Sequence, residues 1–220
     1  MTEITDDRIQ LPTAAAKPTV VPLFRATACW VETAQGKRVD LVNPDPAQID
    51  IEDIAWSLSR LARFNGHTRY FDMLSVGSHS LWVSMYIWER TRSHLFSLYG
   101  LLHDAHEAFM GDIPTPLKAL PGMRERLEPI EHRLQAAIYQ ALKLDAPCDN
   151  AQALIKEADA QALAMEARHH MQSRGQGWLL APINDTACRV GEIRRCQPLQ
   201  VFEGFMTAFS IYITKLDGLH

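Results

Sequence analysis

The run His103-Asp104-Ala105-His106-Glu107 follows directly on LFSLYGLL, an apolar stretch that asks for burial. Read as one helix from about Leu95 to Met110, at about 100° of rotation per residue, it sets His103, Glu107 and Asp104 at about 0°, 40° and 100° on a single arc. That arc continues the line of Phe96 and Tyr99. An imidazole and two carboxylates on a buried face are costly unless they pair or hold a cation. In IKEADAQALAMEA, Asp159 falls inside the stripe of Ile155, Ala158, Ala162 and Leu163, with Glu166 behind it. An ordinary amphipathic helix would carry Leu or Ala there. His79 adjoins a further stripe, Val76, Val83 and Ile87. Three helices thus push hard donor atoms toward one interior.

Two neutral imidazoles and two carboxylates make a mixed nitrogen and oxygen set suited to one divalent transition metal (Mn, Co, Fe, Ni or Zn, with Mg admissible). Ligand softness argues against Cu(I) and against an all-oxygen calcium cage. Such a set leaves coordination positions for water and substrate oxygen, which a catalytic site needs. Singly, each feature has a plainer reading. A lone buried histidine is usually a satisfied core residue, and a lone Asp in a stripe is usually an ion-pair partner. His79, His103, Asp104 and Asp159 together, with Glu107 one turn on, favour the metal.

The elements that must hold these groups are helical. Ile51, Ile54, Ala55, Leu58 and Leu61 mark a first helix, with Asp50 as its N-cap. The His79 stripe marks a second and Leu95 to Met110 a third. Leu127, Ile130, Leu134 and Ile138 give a fourth, Leu154 to His169 a fifth, and Leu199, Phe202, Phe205, Met206 and Phe209 a last. Between the third and fourth, Pro114, Pro116 and Pro121-Gly122 punctuate the chain. Ahead of them, two short β-prone runs between Phe24 and Val42 flank Gln35-Gly36 and predict a small hairpin. Residues 1–22 read as a flexible or surface-draped arm and 23–220 as a single all-α domain.

Of the 220 residues, 47% are apolar and 22% charged, a globular balance that excludes a largely disordered chain. With 22 basic and 26 acidic side chains the net charge is -4, so there is no global field to hold a nucleic-acid polymer or anionic lipid. The opening MTEITDDRIQ is polar and acidic, and no apolar run approaches about eighteen residues, against secretory and membrane-spanning readings. Cys29, Cys148, Cys188 and Cys196 lack CxxC spacing and suit reduced thiols in a cytoplasmic protein.

The order His79, His103-Asp104, Asp159 resembles that of the HD-domain metal-dependent phosphohydrolases. HDAHEAFMGDIPTPLK (His103 to Lys118) closely resembles the motif of bacterial 5'-deoxynucleotidases and of related phage deoxynucleoside triphosphohydrolases acting on dATP. GKRVDLVNPDPAQIDIEDIAWSLSRLARFNGHT ahead of SVGSHS is similar to the phage branch, and KEADAQALAMEA to the fifth-helix motif of both. The resemblance runs from about Lys37 to about Glu166 and implies an HD-domain helical bundle. It implies His79, His103, Asp104 and Asp159 as metal ligands, Glu107 as the carboxylate that positions or deprotonates the attacking water, and Asp112 as a second carboxylate facing the leaving group or substrate. Arg63 and Phe64 would line the nucleotide pocket, and Lys118, held by the PTP turn, would bind phosphate. It also implies a homo-oligomer, a dimer or larger.

Two departures stand out. Ser78 precedes His79 where relatives often carry Glu or Gln, which leaves that histidine without an evident supporting partner. Residues 80–102 form a short interval for the family and imply a trimmed loop or helix. The segment after His169 has no counterpart and could serve as lid, dimer contact or packing. His106 lies off the ligand arc, His169-His170 suit a helix end, and Arg194-Arg195 suit a solvated pair. The leading expectation is hydrolysis of (deoxy)nucleoside 5'-monophosphates. Its alternatives are a dATP-type triphosphohydrolase and a nucleotide-sensing domain without turnover.

Overall fold

A computed structural model describes residues 29–217. Within them the chain is all-α, apart from one antiparallel hairpin of β1 (Trp30–Glu32) and β2 (Arg38–Asp40), in register Trp30 to Asp40. Its turn closes on Gly36, whose left-handed φ of 78° suits a residue without Cβ. The arm anticipated over residues 1–22 lies outside the described residues, as does the start of the expected hairpin region.

Nine helices follow among the described residues: α1 (Ile51–Leu58), α2 (Val76–Thr91), α3 (His94–Leu102), α4 (Glu107–Met110), α5 (Thr115–Lys118), α6 (Arg124–Ala141), α7 (Asp149–His170), α8 (Asp185–Val190) and α9 (Pro198–Asp217). Local chemistry sets several starts. Asp50 accepts from the Glu52 amide at 3.0 Å, Ser75 from Ser78 at 3.1 Å, Ser93 from Phe96 at 3.2 Å and Asn184 from Ala187 at 2.9 Å. The short interval after His79 is explained by the α2–α3 turn, only Arg92 and Ser93, with Arg92 left-handed. α2 and α3 form the central antiparallel pair. α9 crosses α1, α2 and α3, while α7 packs on α2 and α3. Two apolar clusters result, one around Leu58, Leu98, Leu102, Ile138 and Phe205, the other around Trp82, Tyr86, Ala158 and Ala162.

The third helix is not continuous, which corrects the arc drawn from the sequence. α3 ends at Leu102, and amides 105, 107, 108 and 109 bond three residues back rather than four. The buried polar groups themselves cause the break. His103 Nδ1 donates to the Gly100 carbonyl at 2.8 Å, the acceptor that Asp104 N–H would take in an α-helix. Gln135 of α6 then inserts its amide between Leu102 O (2.8 Å) and His106 N–H (3.3 Å), the pair two steps further along the helical ladder. At about three residues per turn, Glu107 no longer stacks above His103 but swings about a third of a turn away.

Candidate metal centre

α2, the turn after α3, and α7 deliver four donor atoms to one point. His79 Nε2 lies 3.3 Å from His103 Nε2, 3.2 Å from Asp159 Oδ1 and 3.6 Å from Asp104 Oδ2, which is 3.1 Å from His103 Nε2. His79, His103 and Asp159 alone form a cluster whose ligand atoms all stand within 4.8 Å. Burial is graded across it. His79 is fully enclosed, Asp104 is mostly covered, and the Asp159 side chain is half exposed, giving the cluster one open side.

The protonation pattern says what such a cluster wants. The Nδ1–H of His103 donates to Gly100 O, and the Nδ1–H of His79 to Glu166 Oε1 at 3.0 Å. Each ring therefore turns its Nε2 toward the other and toward the two carboxylate oxygens. Two imidazole nitrogens and two carboxylate oxygens thus lie close together, a donor set that suits a divalent cation. Donors about 2.1 Å from one cation stand about 3.0 Å apart on an octahedral edge and about 3.4 Å apart on a tetrahedral one. The residues thus fit a divalent ion in chemistry and spacing. Burial and Arg63 pull the His79 imidazolium down, but Glu166 and Asp159 outweigh them and push it up to about 10. Burial opposes ionisation of Asp104 too, yet His103 and His79 hold it well below the usual carboxylate range.

Glu107, at the start of α4, is buried, and its Oε2 has no hydrogen-bond partner. Burial, with Asp104 and Asp112 nearby, raises its carboxyl to about 9. Asp112 is also raised, by burial first, with Arg63 opposing and Asp104 adding. Arg63 stands within the field of this group, but its fork is engaged: Nε and Nη2 donate to Glu166 at 3.2 and 2.7 Å. Phe64 lies against Trp178, ring centres 6.0 Å apart. Lys118 does not extend a free ammonium toward the cluster; it pairs with Glu131 of α6 at 3.0 Å.

The sequence reading missed Glu166 as the partner of His79, the role that Ser78 leaves open. Ser78 instead bonds the capping Ser75 hydroxyl at 3.2 Å. The available signal was the seven-residue step from Asp159, which puts both acids on one face of α7. Gln135 carried no signal at all. His106 bonds Gln135, consistent with its place off the ligand set. His170 is structural, buried between Ile193 O (2.9 Å) and Arg195 (2.8 Å). Arg195 is accordingly not a solvated residue; it also covers the Tyr70 ring at 3.7 Å. The segment after His169 serves in part as packing, with α8 against α2 and Gly191 O accepting from Trp82 at 2.7 Å. All four cysteines are free thiols. Among the described residues, no helix is long and apolar enough to cross a membrane.

No family model matches the chain. It is similar to an uncharacterized protein of Rhodobacter capsulatus, 39% identical over 143 residues that cover 63% of this chain and 71% of the relative. It is also similar to the uncharacterized protein YfdR of Escherichia coli, 34% identical over 151 residues that cover 68% of this chain and 76% of the relative.

Proposed function

We propose that this chain, which belongs to the family of those Rhodobacter capsulatus and Escherichia coli proteins, is a metal-dependent phosphohydrolase of the HD-domain kind that releases phosphate from deoxynucleoside 5'-monophosphates. The observation that carries this reading is the meeting of two imidazole nitrogens and two carboxylate oxygens beside a buried carboxylate, Glu107, with one oxygen left without a partner. A structural metal site would close its coordination sphere with protein atoms, whereas the half-exposed Asp159 leaves this one open.

His79, His103, Asp104 and Asp159 would hold the ion, which when bound supplies Lewis acidity and an acidified water. Glu107, once ionised, would accept at Oε2 the proton of the water that attacks phosphorus. The ester P–O bond breaks and the nucleoside oxygen leaves, taking a proton. Asp112 would face that oxygen as the proton donor. Arg63 adds positive charge beside Asp104 and Asp112, where the anionic phosphate would otherwise meet only carboxylates. Phe64 and Trp178 offer flat apolar surface for a base.

Purified protein with Mn, Co, Mg or Zn and a panel of deoxynucleoside mono- and triphosphates tests this, with Glu107→Ala beside it. Phosphate released from monophosphates, and lost in Glu107→Ala, supports the proposal. Intact triphosphate from deoxynucleoside triphosphates moves the chain to the triphosphohydrolase branch. Metal binding without turnover on any substrate leaves a sensor.

A further inference from the structure

We infer that Glu166 is a positioning residue that ties the metal ligand His79 to Arg63 through one carboxylate; the inference rests on the phosphohydrolase reading. Glu166 is fully buried and uses both oxygens. Oε1 accepts from His79 Nδ1 at 3.0 Å and from Arg63 Nε at 3.2 Å, and Oε2 accepts from Arg63 Nη2 at 2.7 Å. A buried ion triad is often no more stabilising than apolar side chains of similar volume, so stability alone does not account for this one.

Orientation supplies that reason. By taking the Nδ1 proton, Glu166 selects the tautomer that turns the His79 Nε2 lone pair toward His103, Asp104 and Asp159. By accepting from Nε and from Nη2 it fixes the guanidinium plane of Arg63, whose other N–H groups remain as donors while its charge stands in the field of Asp104 and Asp112. The backbone leaving Arg63 is held in a costly shape. Phe64, Asn65 and Gly66 have successive φ values of 54°, 52° and 77°, a left-handed run that disfavours side chains at its first two positions. The Arg63 anchor and that strained turn together set where Phe64 stands. One carboxylate from α7 thereby does for His79 what Ser78 does not, and couples the metal ligand to the groups that meet substrate.

The test is titration calorimetry with Mn²⁺ or Co²⁺ alone, on the full chain and on Glu166→Gln, Glu166→Asp and Arg63→Lys, with kinetics alongside. Glu166→Gln should bind metal about tenfold to hundredfold more weakly and show a raised KM, with partial recovery in Glu166→Asp. Arg63→Lys should raise KM and leave metal affinity at the wild-type value, which a merely structural triad would not do. Should Glu166→Gln fail to fold, long-range ¹H–¹⁵N NMR of the zinc-loaded wild type reads His79 directly, with a proton on Nδ1 supporting the inference. Wild-type metal affinity in Glu166→Gln, or a His79 without that proton, overturns it and leaves the phosphohydrolase reading standing. A wild-type chain that binds no divalent ion overturns both.

Discussion

At the scale of single residues, the centre depends on which nitrogen of each histidine carries the proton. Gly100 O and Glu166 take the Nδ1 protons of His103 and His79, so both Nε2 atoms are left to meet Asp104 and Asp159. Asp159→Asn removes one negative ligand and should weaken Mn²⁺ binding at least about tenfold by calorimetry. Glu107→Gln should keep that affinity and lower turnover about 10²- to 10⁴-fold, because it removes only the proton acceptor. A second prediction concerns stability. Burial first, and then Arg195, lower the pKa of His170, while Ile193 O, Glu192 and Glu166 oppose them. Its folded pKa lies below the unfolded value, so its neutral form costs nothing above about pH 6.5. As pH falls through that value the unfolded chain binds a proton that the native chain refuses, and stability drops. The urea midpoint should therefore fall more between pH 7.5 and 5.5 for the wild type than for His170→Gln. An equal fall would remove His170 from the account.

At the scale of elements, the longer helices were legible because their apolar residues repeat at helical spacing and Asp50 caps the first of them, whereas the short α8 and its Asn184 cap were not expected. The interruption after Leu102 was not legible. Its agent is Gln135, 33 residues from Leu102 in sequence, and an amide on α6 gives no sign of the ladder it will enter. Close approach of elements was equally hidden. A Cβ at Gly77 would stand 2.7 Å from Val201 Cγ1 and 3.2 Å from the Leu58 carbonyl. α2 therefore touches both α9 and the end of α1 at a position that only hydrogen can fill. Gly77→Ala should cost about 1–3 kcal/mol in urea unfolding, because the Leu58 backbone cannot step aside as a side-chain tip would.

At the scale of the whole molecule, the proposed ligands come from α2, the turn after α3, and α7, so an ion would tie these three segments together beyond their apolar packing and the His79–Glu166 and Tyr86–Glu157 hydrogen bonds that already link α2 to α7. A divalent ion at about 100 times its Kd should add about 2.7 kcal/mol to unfolding free energy, and the rise in Tm should vanish in His103→Ala. By itself the sequence determined the helical class, the hairpin around Gly36, and the candidate donors, since each depends on residue type and short-range period. It marked His79, His103, Asp104 and Asp159 because polar groups within apolar stripes are conspicuous wherever the chain goes. Only the tertiary structure decided that Glu166 serves both His79 and Arg63, that Lys118 is paired to Glu131, and that Glu107 sits off the His103 line. Those outcomes depend on contacts between segments distant in sequence, where burial removes water as a competing partner and leaves each buried donor or acceptor to whichever group the fold brings within reach.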